Sequence, residues 1–323
     1  MVGDAADSDP LGLLPAELRE LLRGRVLALE RPVWGDRSGR HAAARAGGGV
    51  TFRGHRPYVA GDDPRRLDWR AIARRDRPVV RVADAEDQLS LVLLLDGSGG
   101  MSYGTGPSQK ARYGGALALA LAHLALRQGD SVGFAAAGDG AIAAPYVRPS
   151  GGEGRLMALA RAIEGLPLRG TAPWSALLDD VAGRMPRRAL VVLISDLLDP
   201  CAGEPDPGAE AGLVERFAGL RARGHDLVIV QVLHADERSF PWQGPELLRF
   251  VDPRGARAEL EAAAPGLRAG YLRRLAAHQE GLRAACERGG VFLVETCSAQ
   301  PLSESLLALL GRLSGVEPAL DAR

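Results

Sequence analysis

Two apolar runs that each end in an aspartate constrain this chain more than any other feature: Leu89–Asp96 (LSLVLLLD) and Ala189–Asp196 (ALVVLISD). A strand with one wet face alternates polar and apolar residues, whereas a strand covered on both faces has no reason to. Both runs therefore read as central strands of a parallel sheet. Parallel neighbours need crossover connections, and helical segments stand where crossovers would run. These are Lys110–Arg127, Arg155–Ile163, Ala172–Met185, Leu213–Arg223, Leu267–Arg288 and Pro301–Leu313. Further strands are expected at Ser131–Gly138, Ile142–Val147, Asp226–Leu233 and Val291–Thr296, with a short edge strand at Leu247–Val251. The expectation is an α/β fold with a mostly parallel central sheet and helices on both faces. In such sheets ligands bind beyond the carboxyl ends of the strands, where Asp96 and Asp196 stand.

Ahead of this pattern the chain is less regular. Pro15–Leu29 reads as a helix, Gly35–Gly49 as a loop, and Val50–Phe52 and Val79–Val82 as short β segments. The expected organisation is a tail and helix over residues 1–34, a β-containing elaboration over 35–88, the α/β domain over 89–315 and a tail over 316–323. Pro200–Gly212, rich in Pro, Gly and Asp, is expected to be a surface loop.

Charge and composition exclude several roles. The 323 residues carry 40 basic and 40 acidic side chains, a balance without the electrostatic footprint of a general nucleic-acid binder. Lys110 is the one lysine; arginine supplies the remaining positive charge, a bias read as the signature of a GC-rich genome. The three cysteines, Cys201, Cys286 and Cys297, form no CxxC pair, which suits a reducing compartment. No secretory signal is visible at the N-terminus, and the apolar runs fall short of the ~20 residues needed to cross a bilayer. A cytoplasmic protein without a membrane span is expected.

The residues that could carry chemistry begin at Asp96. DGSGGMS (Asp96–Ser102) resembles the DxSxS element of the von Willebrand factor A metal-ion-dependent adhesion site. That resemblance implies a hard divalent cation, Mg²⁺, held by oxygens. Asp96 and Ser98 match its first two positions, Thr171 and Asp196 its distal threonine and aspartate. Gly100 replaces the third ligand, a serine, so a degraded site that binds Mg²⁺ weakly or not at all is expected. Without metal, Thr171 would be a helix cap and the aspartates caps of turns.

A second motif is more specific. Arg56, Tyr58, Gly61, Asp62, Asp63, Arg65 or Arg66, Asp68, Trp69, Ala73 and Arg74 match, in order, the signature of the domain of unknown function 58 family, with Leu67 in place of its usual Ile. Gly49–Phe52 upstream and the VDPRG stretch at Asp252 downstream extend the similarity. The resemblance implies a von Willebrand A-like fold and association with a MoxR-type AAA ATPase in assembling a client complex. The segment itself mixes seven arginines (Arg65, Arg66, Arg70, Arg74, Arg75, Arg77, Arg81) with Asp62, Asp63, Asp68 and Asp76. It reads as a self-satisfied salt-bridge network, a partner-docking surface rich in Arg and Trp, or a nucleic-acid face.

Other chemistry finds little footing. No HExxH pair, GxxxxGK[ST] loop or dinucleotide fingerprint occurs, and no histidine is placed by sequence to activate Ser98. The expectation is a non-catalytic protein-binding adaptor or co-chaperone-like subunit. The alternatives are a metal-dependent adhesion-type A domain and a hydrolase at Asp96/Ser98.

Overall fold

The computed structural model describes residues 14, 18–27, 89–152, 154–186, 188–198, 212–255 and 258–314, and the backbone alone of 16–17, 52–57, 79–83 and 207–211. The chain divides into two units, Ala43–Gln88 and the remainder.

Within the smaller unit, β1 (Phe52–Pro57) pairs antiparallel with β2 (Val79–Ala83), in the register Arg56↔Val80, with a bulge between Phe52 and Gly54. In the larger unit the strands are β3 (Ser90–Asp96), β4 (Ser131–Gly138), β5 (Ala141–Ser150), β6 (Leu190–Ser195), β7 (Asp226–Leu233), and β10 (Phe292–Cys297). They form one six-stranded sheet in the order β10-β7-β6-β3-β4-β5. All neighbours are parallel except β5, which runs antiparallel to β4. This is the mostly parallel α/β architecture expected from the apolar runs.

Alternate residues of each strand face opposite cores. Leu91, Leu93, Leu95, Leu190, Val192 and Ile194 face one side, with α1 (Ala16–Leu22), α2 (Lys110–Arg127), α3 (Arg155–Glu164) and α8 (Leu302–Ser314). Val92, Leu94, Val191, Leu193, Leu227 and Ile229 face the other, with α4 (Trp174–Ala182), α5 (Pro207–Ala222) and α7 (Ala264–Gly289). Two-sided burial is the reason these strands read as uninterrupted apolar runs. Helix α2 is buried from Ala116 to Ala122 without a break, because Ala and Gly let it lie close against the sheet.

Three elements differ from the sequence reading. Helix α1 stops at Leu22, short of Leu29, because the chain turns through Gly24 at φ +88°. Helix α5 begins at Pro207, inside the expected surface loop; proline is well suited to a first helical turn, where its missing N–H is not needed. The edge strand near Leu247 does not join the main sheet. It forms β8 (Leu247–Phe250) and pairs antiparallel with an unexpected β9 (Leu260–Ala263) in a hairpin of its own. The short helix α6 (Ala235–Ser239) follows β7.

The N-terminal helix packs into the first core through Leu18 and Leu22. Arg127 donates to the Leu22 carbonyl at 3.0 Å, and Gln128 exchanges hydrogen bonds with the Leu27 backbone.

Candidate functional site: a buried ion cluster at the switch point

In the sheet order the chain runs outward in both directions from the β3/β6 pair, so the crevice at their carboxyl ends is the topological switch point. Asp96 closes β3, and Asp196 follows Ser195, the last residue of β6. Both carboxylates are buried. Asp96 Oδ1 accepts the Ser98 N–H at 2.7 Å, and Asp96 Oδ2 accepts the Ser195 hydroxyl. Ser195 Oγ in turn accepts the Leu197 N–H at 2.9 Å, while Asp196 Oδ1 accepts the Leu198 N–H at 3.0 Å. Among the described residues the buried Ser98 hydroxyl has no hydrogen-bond partner.

The cation in this cluster belongs to the chain. Lys110, at the start of α2, is wholly buried; its Nζ lies 2.7 Å from Asp196 Oδ2 and 2.6 Å from Glu237 Oε1. Arg254 completes the set, its Nη2 reaching both Asp196 oxygens at 3.0 Å. Glu237 Oε2 also accepts the His234 N–H at 2.7 Å, closing a capping box on α6. Tyr103 donates to Asp236 at 3.1 Å and meets the His234 ring edge to face. Four loops, following β3, β6, β7 and β8, are thus joined through one buried set of charges.

The electrostatics follow from burial and pairing. Burial disfavours the Lys110 ammonium, but Asp196 and Glu237 more than offset it and hold its pKa above the ordinary lysine value. Burial alone would push Asp196 up; Lys110 and Arg254 outweigh it and hold the carboxyl below the usual aspartate range. Glu237 goes the other way, raised by burial, because Lys110 returns only part of that cost and the Asp196 charge adds to it. Burial and the Asp236 carboxylate push the Tyr103 phenol up to about 12.

The residues expected from sequence are only partly assembled. Asp96, Ser98 and Asp196 come together. Thr171 lies in the adjoining loop, since Gly99 donates to the Gly170 carbonyl at 2.9 Å and Arg169 to that of Gly97 at 3.1 Å. Its side chain is exposed, and its carbonyl accepts from Gly140 at 2.8 Å. Arg56 lies in β1. Tyr58, Gly61, Asp62, Asp63, Arg65, Asp68, Trp69 and Arg74 lie outside the described residues.

Mg²⁺ does not fit the donor set. It demands near-ideal octahedral coordination by oxygen at about 2.0–2.1 Å. Both Asp196 oxygens are held by cationic side chains, and a third positive charge there would be repelled. Gly100 is also more than a missing ligand. A Cβ on it would lie 2.1 Å from Arg254 Nη2 and 2.5 Å from Asp196 Oδ2. The arginine occupies the space a serine side chain would need.

Lys110, Glu237 and Arg254 were not assigned to the site from sequence, although Arg254 lies in the VDPRG stretch noted above. The available signal was Lys110 itself, the one lysine in a chain that otherwise uses arginine. Its ammonium is a compact point charge with three donors, and it bridges the Asp196 and Glu237 carboxylates. Beside the cluster, a cavity of about 520 Å³ opens between β3, β6, α2 and α3, lined by Leu95, Asp96, Met101, Ile163, Leu168 and Ile194 among others.

The family model described as "Protein of unknown function DUF58" matches residues 54–281, most of the chain. The chain belongs to the DUF58 family. Similar to it are the uncharacterized proteins Rv1480 of Mycobacterium tuberculosis and Mb1516 of Mycobacterium bovis, each 27% identical over 268 residues, covering 81% of this chain and 79% of the relative. Among solved structures, the SpRpn10 VWA domain is 14% identical, with a TM-score of 0.36, covering 73% of this chain and 100% of that one. An uncharacterized membrane-spanning protein from Vibrio fischeri is 15% identical, with a TM-score of 0.22, covering 72% and 100%. Among the described residues of this DUF58 chain, no helix is long and apolar enough to cross a membrane.

Proposed function

We propose that this protein is a non-catalytic, protein-binding adaptor or co-chaperone-like subunit that works in the cytoplasm with a MoxR-type AAA ATPase to assemble or mature a client complex. The observation that carries the reading is the buried cluster of Lys110, Asp196, Glu237 and Arg254. A catalytic centre needs groups free to change protonation or ligation during turnover. Here the charges at the switch point neutralise one another and fix four loops, which makes a rigid docking face. Among the described residues Ser98 has no hydrogen-bonded base of the kind a nucleophile requires. The ATPase as partner rests on family membership.

Binding of the full-length chain to the MoxR-type ATPase of the same genome, measured by biolayer interferometry with and without nucleotide, tests this. Saturable micromolar binding is expected. No binding in any nucleotide state would refute the adaptor role.

A further inference from the structure

The two outer strands of the main sheet are unlike each other. β5 is blunted: it carries Pro145 and Pro149, which have no N–H to give, and its register with β4 breaks three times. β10 has neither device. It pairs with β7 without a break over Phe292–Cys297 and contains no proline. Every second residue of such an edge turns its N–H and C=O away from the sheet. Among the described residues no hydrogen bond meets these groups on β10. The backbone bonds that flank the strand run from the Val291 N–H to the Cys286 carbonyl and from the Ser298 N–H to that of Leu233. Phe292 is 46% exposed at this edge.

The open strand is also complementary to itself. Directly opposed residues of an antiparallel pair share a face, so a two-fold axis between two copies must fall on a residue and not between residues. An axis at Val294 pairs Val294 with its own copy, Leu293 with Glu295, Phe292 with Thr296 and Val291 with Cys297, which uses the strand from end to end. An axis at Glu295 would oppose two carboxylates, and one at Leu293 would set Thr296 against Gly290 and waste the end of the strand. Glu295 is the one charge on β10, and Arg283 of α7 already meets it, with Nε at 2.9 Å and Nη2 at 2.8 Å. Next to a second copy's Leu293 it is therefore not a stranded charge.

We propose that β10 is a dimerisation edge, and that its partner is a second copy of this chain, joined β10 to β10 in antiparallel register centred on Val294. The interface is isologous, the commonest form of closed homodimer. Main-chain bonds supply the ladder, and Phe292 supplies an apolar anchor on the face it shares with Val294 and Thr296. Because the paired strands run in opposite directions, the two switch points lie at opposite ends of the joined sheet, and each copy keeps its own.

Sedimentation velocity on the full-length chain, from low to high micromolar concentration, tests this. A monomer–dimer equilibrium is expected. Phe292→Lys should weaken it by about tenfold or more, because a lysine on an edge opposes pairing. Val147→Lys, at a 42% exposed position on β5, should leave it unchanged. Hydrogen exchange in the wild type should slow with concentration over Phe292–Cys297 and not over β5. Val294→Cys should form a disulfide-linked dimer on mild oxidation that the wild type does not form. A monomer at every concentration, a dimer as tight in Phe292→Lys as in wild type, or β10 exchange that ignores concentration would each overturn the proposal. Cross-linking through Glu295→Cys and not through Val294→Cys would overturn the register. If near-UV circular dichroism shows that Phe292→Lys does not fold, the wild-type exchange measurement decides. No reading involves the ATPase, so the dimer stands or falls apart from the adaptor role.

Discussion

Lys110 shows how one residue can set the character of a site. Its ammonium lies between Asp196 and Glu237 with none of its side chain exposed. Removing one member of a buried ion pair strands the other charge, a loss of about 3–5 kcal/mol. Lys110→Met is therefore expected to lower unfolding free energy by that order in urea denaturation, and Lys110→Arg should recover little of it, since the larger head has no room. A loss below about 1 kcal/mol would show a solvent-like environment instead. The pH dependence follows from the raised Lys110 pKa. The stabilisation is present in full below the ordinary lysine value of 10.5 and is lost as pH rises through the higher folded value. The stability difference between wild type and Lys110→Met should thus stay level up to that pH and shrink above it. A difference that shrinks already at neutral pH would mean that Lys110 is uncharged in the fold.

At the scale of elements, α2 lies so close to the sheet that its glycines matter. A Cβ on Gly114 would stand 2.9 Å from Ile194 Cγ2, and Ile194 is a buried residue of central strand β6. Alanine at a helical glycine normally gains about 1 kcal/mol in propensity, but forced overpacking costs about 1–3 kcal/mol. Because β6 is fixed between two neighbouring strands, Gly114→Ala is expected to be net destabilising, by about 1 kcal/mol in thermal or urea melts. A net gain would mean that the helix can shift outward. The same close packing explains what was legible beforehand. β3, β6, β7 and α2 are buried on nearly all sides, so burial wrote their composition directly into the chain. The β8–β9 hairpin was not legible, because four-residue strands outside the main sheet leave too short a pattern. The site divides in the same way. Asp96, Ser98 and Asp196 stand at strand ends and follow from local pattern. Lys110 meets Asp196 across 86 positions and Glu237 across 127, and Arg254 meets Asp196 across 58. Such pairs are set by the sheet order, which no local spacing encodes.

For the molecule as a whole, the internal cations decide how it should respond to metal. A divalent ion bound only by the native state would add stability by mass action, about 4 kcal/mol at a thousandfold excess over Kd. For a domain of this size each kcal/mol moves Tm by about 2–4 °C, so a micromolar Mg²⁺ site would raise Tm by roughly 8–16 °C in millimolar Mg²⁺. With Lys110 and Arg254 already on Asp196, that gain is not available: the ion would first have to displace two charges that the fold holds in place. The expected outcome is that Tm of the wild type in millimolar Mg²⁺ or Mn²⁺ equals that in EDTA to within about 1 °C, far below the shift a bound ion would cause. Gly100→Ser should not create a response, because the new side chain would meet Arg254 before it met a metal. It should instead lower Tm in both conditions alike. Removing both cations, in Lys110→Ala with Arg254→Ala, takes from Asp196 its two cationic partners and should lower Tm with or without Mn²⁺, since among the described residues no three His, Cys, Asp or Glu side chains are placed to hold a metal. A Tm rise of several degrees in the wild type would show that Lys110 and Arg254 yield to the ion, and would return the molecule to the class of metal-dependent receptors.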